Sequence, residues 1–320
     1  MDLPIDELAR CPTCSGTGQR LRSYGHDDQT WTCFACGRCD GQYWAPRVVE
    51  AGFYARDEQA TYQRRRDGEG FLRPRHREFL RRARPGRLLD VGCGEGYFLA
   101  TAEAKGYAVT GVDLDPGSIE IARGRGLTHV SATPLFDAGT GELAPELRPR
   151  APFDWVTAFE VLEHQADPVA FLTLVRSLLA PDGALCGSVP NRDRLMVDRQ
   201  RQLDAGDFPP HHFLWFSARS LEATLRQAGF SRITVGPVPE DDLLAYAAHL
   251  ESTTLGRGGR RARGSGAAAA PGRKAAAGAL RSRVRGWLRT GKNVPFAPAA
   301  LLIRKVRPDL QRALYFEARA

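Results

Sequence analysis

Apolar and polar residues follow two different rhythms along this chain, and the change falls near residue 87. Before it, residues 1–45 carry turn chemistry (Ser15-Gly16-Thr17-Gly18, Cys36-Gly37) and little apolar periodicity. A connector, 46–86, follows. It ends in a helix-like stretch at 74–84, where His76, Phe79, Leu80 and Ala83 fall at helical spacing. From 87 onward short apolar runs alternate with 3.6-period segments. Strands are predicted at 88–91, 108–113, 128–132, 153–159, 183–189 and 231–235, and helices at 97–105, 116–123, 168–179 and 217–228, the last capped by Ser217 and stopped by Gly229. Repeated βα units predict an α/β fold, a mostly parallel sheet with helices on both faces and right-handed crossovers. The run Ala313-Leu314-Tyr315-Phe316-Glu317 reads as a seventh strand. Its nearest open partner in sequence is 231–235, so an antiparallel pair is expected, its connection swollen by an insertion at 240–311.

Charge changes the reading of that insertion. The chain's net charge is +8, yet residues 256–312 hold fifteen Lys/Arg and one acid, Asp309. Taking that local +14 from +8 leaves the remainder at −6. A duplex-binding domain would more often spread its positive charge over a folded face, so the balance argues against nucleic acid as a partner. Within the insertion, 256–278 is low-complexity and reads as a linker. The stretch 281–307, with Trp287, Leu288 and Phe296 among its arginines, offers weak membrane-surface contact as one reading and a solvated insertion as the favoured one. No window approaches 18 uninterrupted apolar residues, so no membrane span is expected. The opening MDLPIDELARCPTC is acidic and lacks the apolar segment of a secretory signal, so a cytoplasmic location is expected.

Five of the seven cysteines lie within the first 39 residues. Cys11-x-x-Cys14 and Cys33-x-x-Cys36 stand 18 residues apart, a spacing suited to a tetrahedral Zn²⁺ held by four thiolates. A structural zinc ribbon over 1–45 is expected, ligated by Cys11, Cys14, Cys33 and Cys36, with Trp31 and Phe34 as its small core. Cys39 is a surplus thiol able to replace one of the four.

The run into Gly92-Cys93-Gly94-Glu95-Gly96 predicts a strand, a tight glycine turn and a helix N-terminus with open backbone N–H groups. The next strand ends in Val112-Asp113, placing a carboxylate where it can accept ribose hydroxyls. NAD would need glycine at position 97, where Tyr97 stands. Glu95 would also repel a pyrophosphate but not a sulfonium.

Taken in order, LLDVGCGEG, GVDLD, FDWVTAFEVLEH, LLAPDGALCGSVPN, PPHHFLWFS and AGF resemble a class I S-adenosylmethionine (SAM)-dependent methyltransferase of the ubiquinone-type O-methyltransferase-like group. The resemblance covers roughly 87–238 plus the final strand. It implies a Rossmann-like SAM-binding domain over 87–239 and 312–320, whose sheet ends in an antiparallel strand. It also implies that Gly92, Cys93 and Gly94 lie under the methionine part of SAM, that Asp90 belongs to the cofactor-binding set, that Asp113 holds the ribose and that Leu114 packs on adenine. Phe159 and Glu160 would border the methionine end and the acceptor. At 131–134 the chain reads SATP, without the acid many relatives place near the adenine amine.

SAM is already activated, so the protein must mainly align the reacting atoms and, for a hydroxyl acceptor, supply a base. His211 and His212 follow the fifth strand, at the acceptor mouth, and are the expected base. His164 follows the fourth strand and is read two ways, as a catalytic group or as a cap of the next helix. The expected acceptor is a small-molecule hydroxyl of a sugar, lipid or secondary metabolite, with carbon as a further option. RNA methylation and a non-catalytic SAM-fold binding protein are the alternatives. The first lacks an Asn/Asp-Pro-Pro-Tyr/Phe motif, and the intact glycine loop with its acid opposes the second.

Overall fold

The computed structural model describes residues 5–26, 28–48, 72–136, 142–203, 205–238, 302 and 307–320. The expected linker at 256–278 and nearly all of 281–307 lie outside these residues. The chain forms two compact units, one of Met1–Asp193, Phe208–Pro239 and Arg312–Ala320, the other of Arg194–Asp207 and Glu240–Gln311. In chain order the described elements are α1 (Ile5–Leu8), β1 (Gln19–His26), β2 (Gln29–Ala35), β3 (Gln42–Ala45), α2 (Pro74–Arg82), β4 (Arg87–Val91), α3 (Tyr97–Ala104) and β5 (Ala108–Val112). There follow α4 (Pro116–Gly124), β6 (Val130–Ser131), β7 (Phe153–Phe159), α5 (Pro168–Ser177), β8 (Leu179–Pro190) and α6 (Val197–Leu203), the last in the second unit. The chain then builds β9 (Leu214–Trp215), α7 (Ala218–Gln227), β10 (Arg232–Pro237) and β11 (Ala313–Arg319).

Seven strands form one sheet in the order β10-β11-β8-β7-β4-β5-β6. The five from β8 to β6 run parallel, while β11 is antiparallel to both β8 and β10. The expected α/β sheet with its antiparallel last strand is therefore present. Central strands covered on both faces must be apolar throughout, and Val156-Thr157-Ala158-Phe159 is buried without a break. The helix starts follow local chemistry. Asp115 accepts from Gly117 N–H, Asp167 from Ala170 N–H and Ser217 from Ser220 N–H, each closing an orphan donor at a helix entry. Pro116 and Pro168 occupy first-turn positions that need no donor.

The N-terminal region holds more structure than its sequence pattern predicts. β1, β2 and β3 form an antiparallel sheet that recruits β9, through Gln42↔Trp215 and Tyr43↔Leu214. β1 is almost wholly exposed, so it has no apolar rhythm to read. Trp31, Phe34 and Trp44 share one buried cluster with Phe213, Trp215, Leu221 and Leu225. The ribbon thus packs into the core of the first unit. Burial of each large ring stabilises by about 1.5–3 kcal/mol. Among the described residues no helix is long and apolar enough to cross a membrane.

Candidate functional site

At the carboxyl edge of the parallel strands, β4 runs into the glycine loop. Gly92, Gly94 and Gly96 adopt φ of 75°, 52° and 75°, a region closed to most side chains. The N–H groups of Gly92 and Cys93 donate to Val112 O at 2.8 and 3.0 Å, tying the loop to the end of β5. Asp113 stands at that junction. Its Oδ2 accepts from Gly94 N–H (2.8 Å) and its Oδ1 from Asp115 N–H (2.9 Å). Each oxygen keeps lone-pair capacity for a further donor. Burial raises the Asp113 carboxyl from its ordinary value. A Cβ at Gly94 would meet open space, and neighbouring Leu114 leaves 51% of its surface uncovered. Glu95 is held by Arg125 at 3.8 Å.

Deeper in, Asp90 is buried and accepts from Thr157 Oγ1 at 2.6 Å. Burial pushes its carboxyl up to about 7. Cys93 is buried as well, and burial keeps its thiol protonated. Phe159 packs against Phe98 and His76, with ring centroids 5.6 and 5.1 Å apart. Glu160 has φ of 58° just past β7, and its Oε1 accepts from Ser188 Oγ at 2.7 Å. Arg75, on the lead helix α2, reaches Glu160 Oε1 at 3.7 Å and opposes the rise of the Asp90 carboxyl. Its Nε is buried with no hydrogen-bond partner among the described residues. The helical stripe at 74–84 drew attention to His76 and Phe79 instead. Only its position beside His76 in that stripe could have marked Arg75.

The segment that carries His211 and His212 is built from turns. His211 N–H and His212 N–H both donate to Phe208 O (3.0 and 3.2 Å), and Phe213 N–H donates to Glu163 O at 2.9 Å. His164 Nδ1 bonds the carbonyl of His211, and its ring meets that of His212 edge-on, centroids 4.8 Å apart. Burial, aided by His212, lowers His164 to about 3. It is therefore neutral, with Nδ1–H assigned as the donor to that carbonyl. It does not cap the next helix, as one expectation had it, because Asp167 fills that position. Glu163, which sequence reading passed over, is fully buried. Its Oε1 lies 3.9 Å from His164 Nε2 and 4.0 Å from His212 Nε2. These three groups have ligand atoms within 4.8 Å of one another, a donor set that could take a metal ion. The backbone N–H and carbonyl of His211 both take part in these bonds.

The cysteines require a correction. The four sulfurs that lie within 4.8 Å of one another belong to Cys11, Cys14, Cys36 and Cys39, and Cys33 is not among them. Cys33 pairs with Trp44 across β2 and β3 and shares the buried face of β2 with Trp31. The gathered thiols sit in two matching turns. Cys11 N–H donates to Gly16 O and Ser15 N–H to Cys11 O; Cys36 N–H donates to Gly41 O and Asp40 N–H to Cys36 O. Ser15 and Asp40 take φ of 57° and 62°. The legible signal was the repeated C-x-x-C-[S/D]-G, met at 11–16 and 36–41. Cys11 and Cys39 sulfurs lie 3.5 Å apart, as do those of Cys14 and Cys36. A tetrahedral zinc with Zn–S of about 2.3 Å needs sulfurs about 3.8 Å apart, so the set fits that ion. The neighbouring Cys39 thiol lowers Cys11 to about 5, favouring the thiolate that binds metal.

A family profile described as a methyltransferase domain matches residues 62–235, just over half of the chain. A ubiquinone biosynthesis O-methyltransferase of Xanthomonas campestris is 40% identical over 111 residues, covering 34% of this chain and 46% of the relative. One from Cereibacter sphaeroides is 38% identical over 108 residues, covering 33% and 42%. The chain thus spans a little under half the length of the curated relatives it matches. A Haemonchus contortus N-methyltransferase, solved with S-adenosylhomocysteine and phosphomonomethylethanolamine, aligns over 93% of this chain and 71% of its own. Its TM-score of 0.50 at 16% identity is a likeness of fold.

Proposed function

Because this chain belongs to the class I SAM-dependent methyltransferase family, we propose that it transfers a methyl group from SAM to a hydroxyl of a small molecule. The observation that carries the hydroxyl reading is the buried Glu163 carboxylate 4.0 Å from His212 Nε2. A buried acid beside an imidazole can orient the ring and fix which nitrogen faces the acceptor, as a general base requires. With Nε2–H turned toward Glu163, Nδ1 is the nitrogen left to take the acceptor's proton. His164 holds the His211 carbonyl and so the path of the loop.

The cofactor edge fits SAM. Open space over Gly94, the half-exposed Leu114 and the spare lone pairs of Asp113 suit a nucleoside. We assign Asp113 to the ribose, Leu114 to adenine, and Asp90, Gly92, Cys93, Gly94, Phe159 and Glu160 to the methionine end. Arg75 joins them as a cation for its carboxylate. When bound, SAM supplies a methyl group already activated on a sulfonium. The chain's own residues orient the acceptor, exclude water and accept one proton. The proposal also places a structural zinc on Cys11, Cys14, Cys36 and Cys39, with no open coordination position. In this reading 1–45 is the ribbon, 46–86 the connector and lead helix, and 240–311 an insertion before the last strand of the domain.

Replacing Asp113 with alanine should weaken SAM and S-adenosylhomocysteine binding by about 2–3 kcal/mol, through lost ribose bonds and a loosened Gly94 amide. Titration calorimetry reads this directly. Equal affinity in the variant, or no heat with the wild-type chain, sinks the assignment. Mass analysis of a metabolite extract incubated with enzyme and SAM then tests the acceptor class, and methylated RNA as the sole product would overturn it. A second reading rests on the Glu163, His164 and His212 donor set, where a divalent ion would activate the hydroxyl. Elemental analysis separates the two, since the base reading expects one metal per chain and this one expects two.

A further inference from the structure

Asp40 follows directly on Cys39 and its N–H closes the cysteine turn on Cys36 O, yet its carboxylate and carbonyl bond away from the sulfurs, to Arg192 and Ser217. Its Oδ2 accepts from Arg192 Nη2 at 2.8 Å and from Ser217 Oγ. Its backbone carbonyl accepts from Arg192 Nη1. Arg192 follows β8, and its side chain is only 11% exposed, so this cation relies on Asp40 and Asp193 for compensation. Ser217 is the N-cap of α7. One carboxylate therefore joins a cysteine turn, the end of β8 and the start of α7.

Those contacts bracket the segment that carries the two histidines. Arg192 N–H donates to Phe216 O at 2.7 Å, and Trp44 N–H donates to Phe213 O at 2.8 Å. Phe208, just before the histidines, stacks on Tyr24 at 4.6 Å and meets Trp44 and Trp215 edge-on. The segment 208–217 has few backbone bonds of its own, since β9 is two residues long. Its course is set by partners on the ribbon and at the ends of β7 and β8.

We propose that Asp40 is a positioning residue: through Arg192 and Ser217 it couples the cysteine turn to the 208–217 segment, and so sets where His212 stands. This deepens the reading of His212 as the acceptor-side base and rests on it. Integrity of the cysteine cluster then governs the acceptor side of the site and leaves cofactor binding alone. No element of the cofactor loop contacts Asp40 in the described bonds. The chain gains a ribbon that acts as a wall of the active site.

The test uses the full chain with S-adenosylhomocysteine present. Asp40→Gly removes the carboxylate while tolerating the left-handed backbone, which alanine would strain. Asp40→Asn keeps an acceptor oxygen and the same backbone. Arg192→Gln attacks the link from the other side. Hydrogen exchange of the Phe213 and Arg192 amides should quicken by about tenfold or more in Asp40→Gly and in Arg192→Gln, and by under about threefold in Asp40→Asn. The His212 imidazole resonances should move in the first two. Metal content should hold, and S-adenosylhomocysteine affinity should stay within about twofold of wild type.

Unchanged exchange and unchanged imidazole signals in both Asp40→Gly and Arg192→Gln would overturn the proposal. So would loss of S-adenosylhomocysteine affinity in step with the loop, because Asp40 would then support the whole unit. Should Asp40→Gly shed its metal, Arg192→Gln decides alone, since it leaves the cysteine turn untouched. A wild-type chain that binds no S-adenosylhomocysteine, or holds no metal, defeats the readings under Proposed function separately. The amide comparison can still be made on that chain.

Discussion

Alanine at position 212 is expected to lower methyl-transfer turnover by on the order of 10²–10⁴ while SAM affinity stays unchanged. The effect is large because, in the proposed reading, the imidazole carries the proton-accepting nitrogen, while the glycine loop at 92–96 and Asp113 follow other strands, β4 and β5. His211→Ala should matter far less, since the buried Glu163 stands beside His212 Nε2 and the proposal places the base there. His164→Ala should instead cost stability, by about 1–3 kcal/mol, through a mostly buried ring lost and a carbonyl left without its donor. Single-turnover rates with calorimetry on the same preparations separate these outcomes. If His212→Ala retained full turnover, the acceptor would need no protein base, as for a nitrogen or an ionised oxygen. The methyltransferase assignment would stand and this mechanism would not.

Loss of the metal in a Cys11→Ser/Cys14→Ser variant should be the largest stability effect in the molecule. Apparent binding of a structural zinc to small domains is worth about 10–16 kcal/mol near neutral pH, and in such domains it is folding free energy. Here β1 is exposed along most of its length, and the ribbon's own core is Trp31, Phe34, Tyr43 and Trp44, which join Phe213 and Trp215, so the loss should be softened by that packing and not abolished by it. Elemental analysis should fall from one zinc per chain to none, with an earlier thermal transition. Cys39→Ser should lose the metal as well. Cys33→Ser should keep it, paying only about 1–3 kcal/mol for a hydroxyl placed in the core. Retention in Cys39→Ser together with loss in Cys33→Ser would restore the quartet expected from spacing and contradict the geometry.

The cysteine quartet shows how far reading along the chain carries. Two C-x-x-C pairs were visible, and the third, Cys36-x-x-Cys39, overlapped the second. Spacing alone cannot choose between overlapping pairs. The choice follows from the register of β2, which turns Cys33 inward beside Trp31, and from a turn that needs a polar residue and a glycine after its second cysteine. Similarly, PPHHFLWFS was readable as a loop after the fifth strand. That its Leu214-Trp215 would complete the ribbon's sheet was not, because two residues carry no period.

What the sequence alone determined is local. Asp115, Asp167 and Ser217 cap helices because a short oxygen-bearing side chain meets the N–H groups two or three residues on. Gly92, Gly94 and Gly96 shape the loop because no other residue adopts those φ values at so little cost. The apolar runs of β4, β5, β7 and β8 dictate a sheet covered on both faces. Only tertiary structure brought Glu163 to His212, Arg75 to Glu160 and Asp40 to Arg192. Each of those pairs joins groups 49, 85 and 152 residues apart in sequence. Their meeting is decided by strand order and by shared burial, quantities that belong to the packed chain and are carried by no window of its sequence.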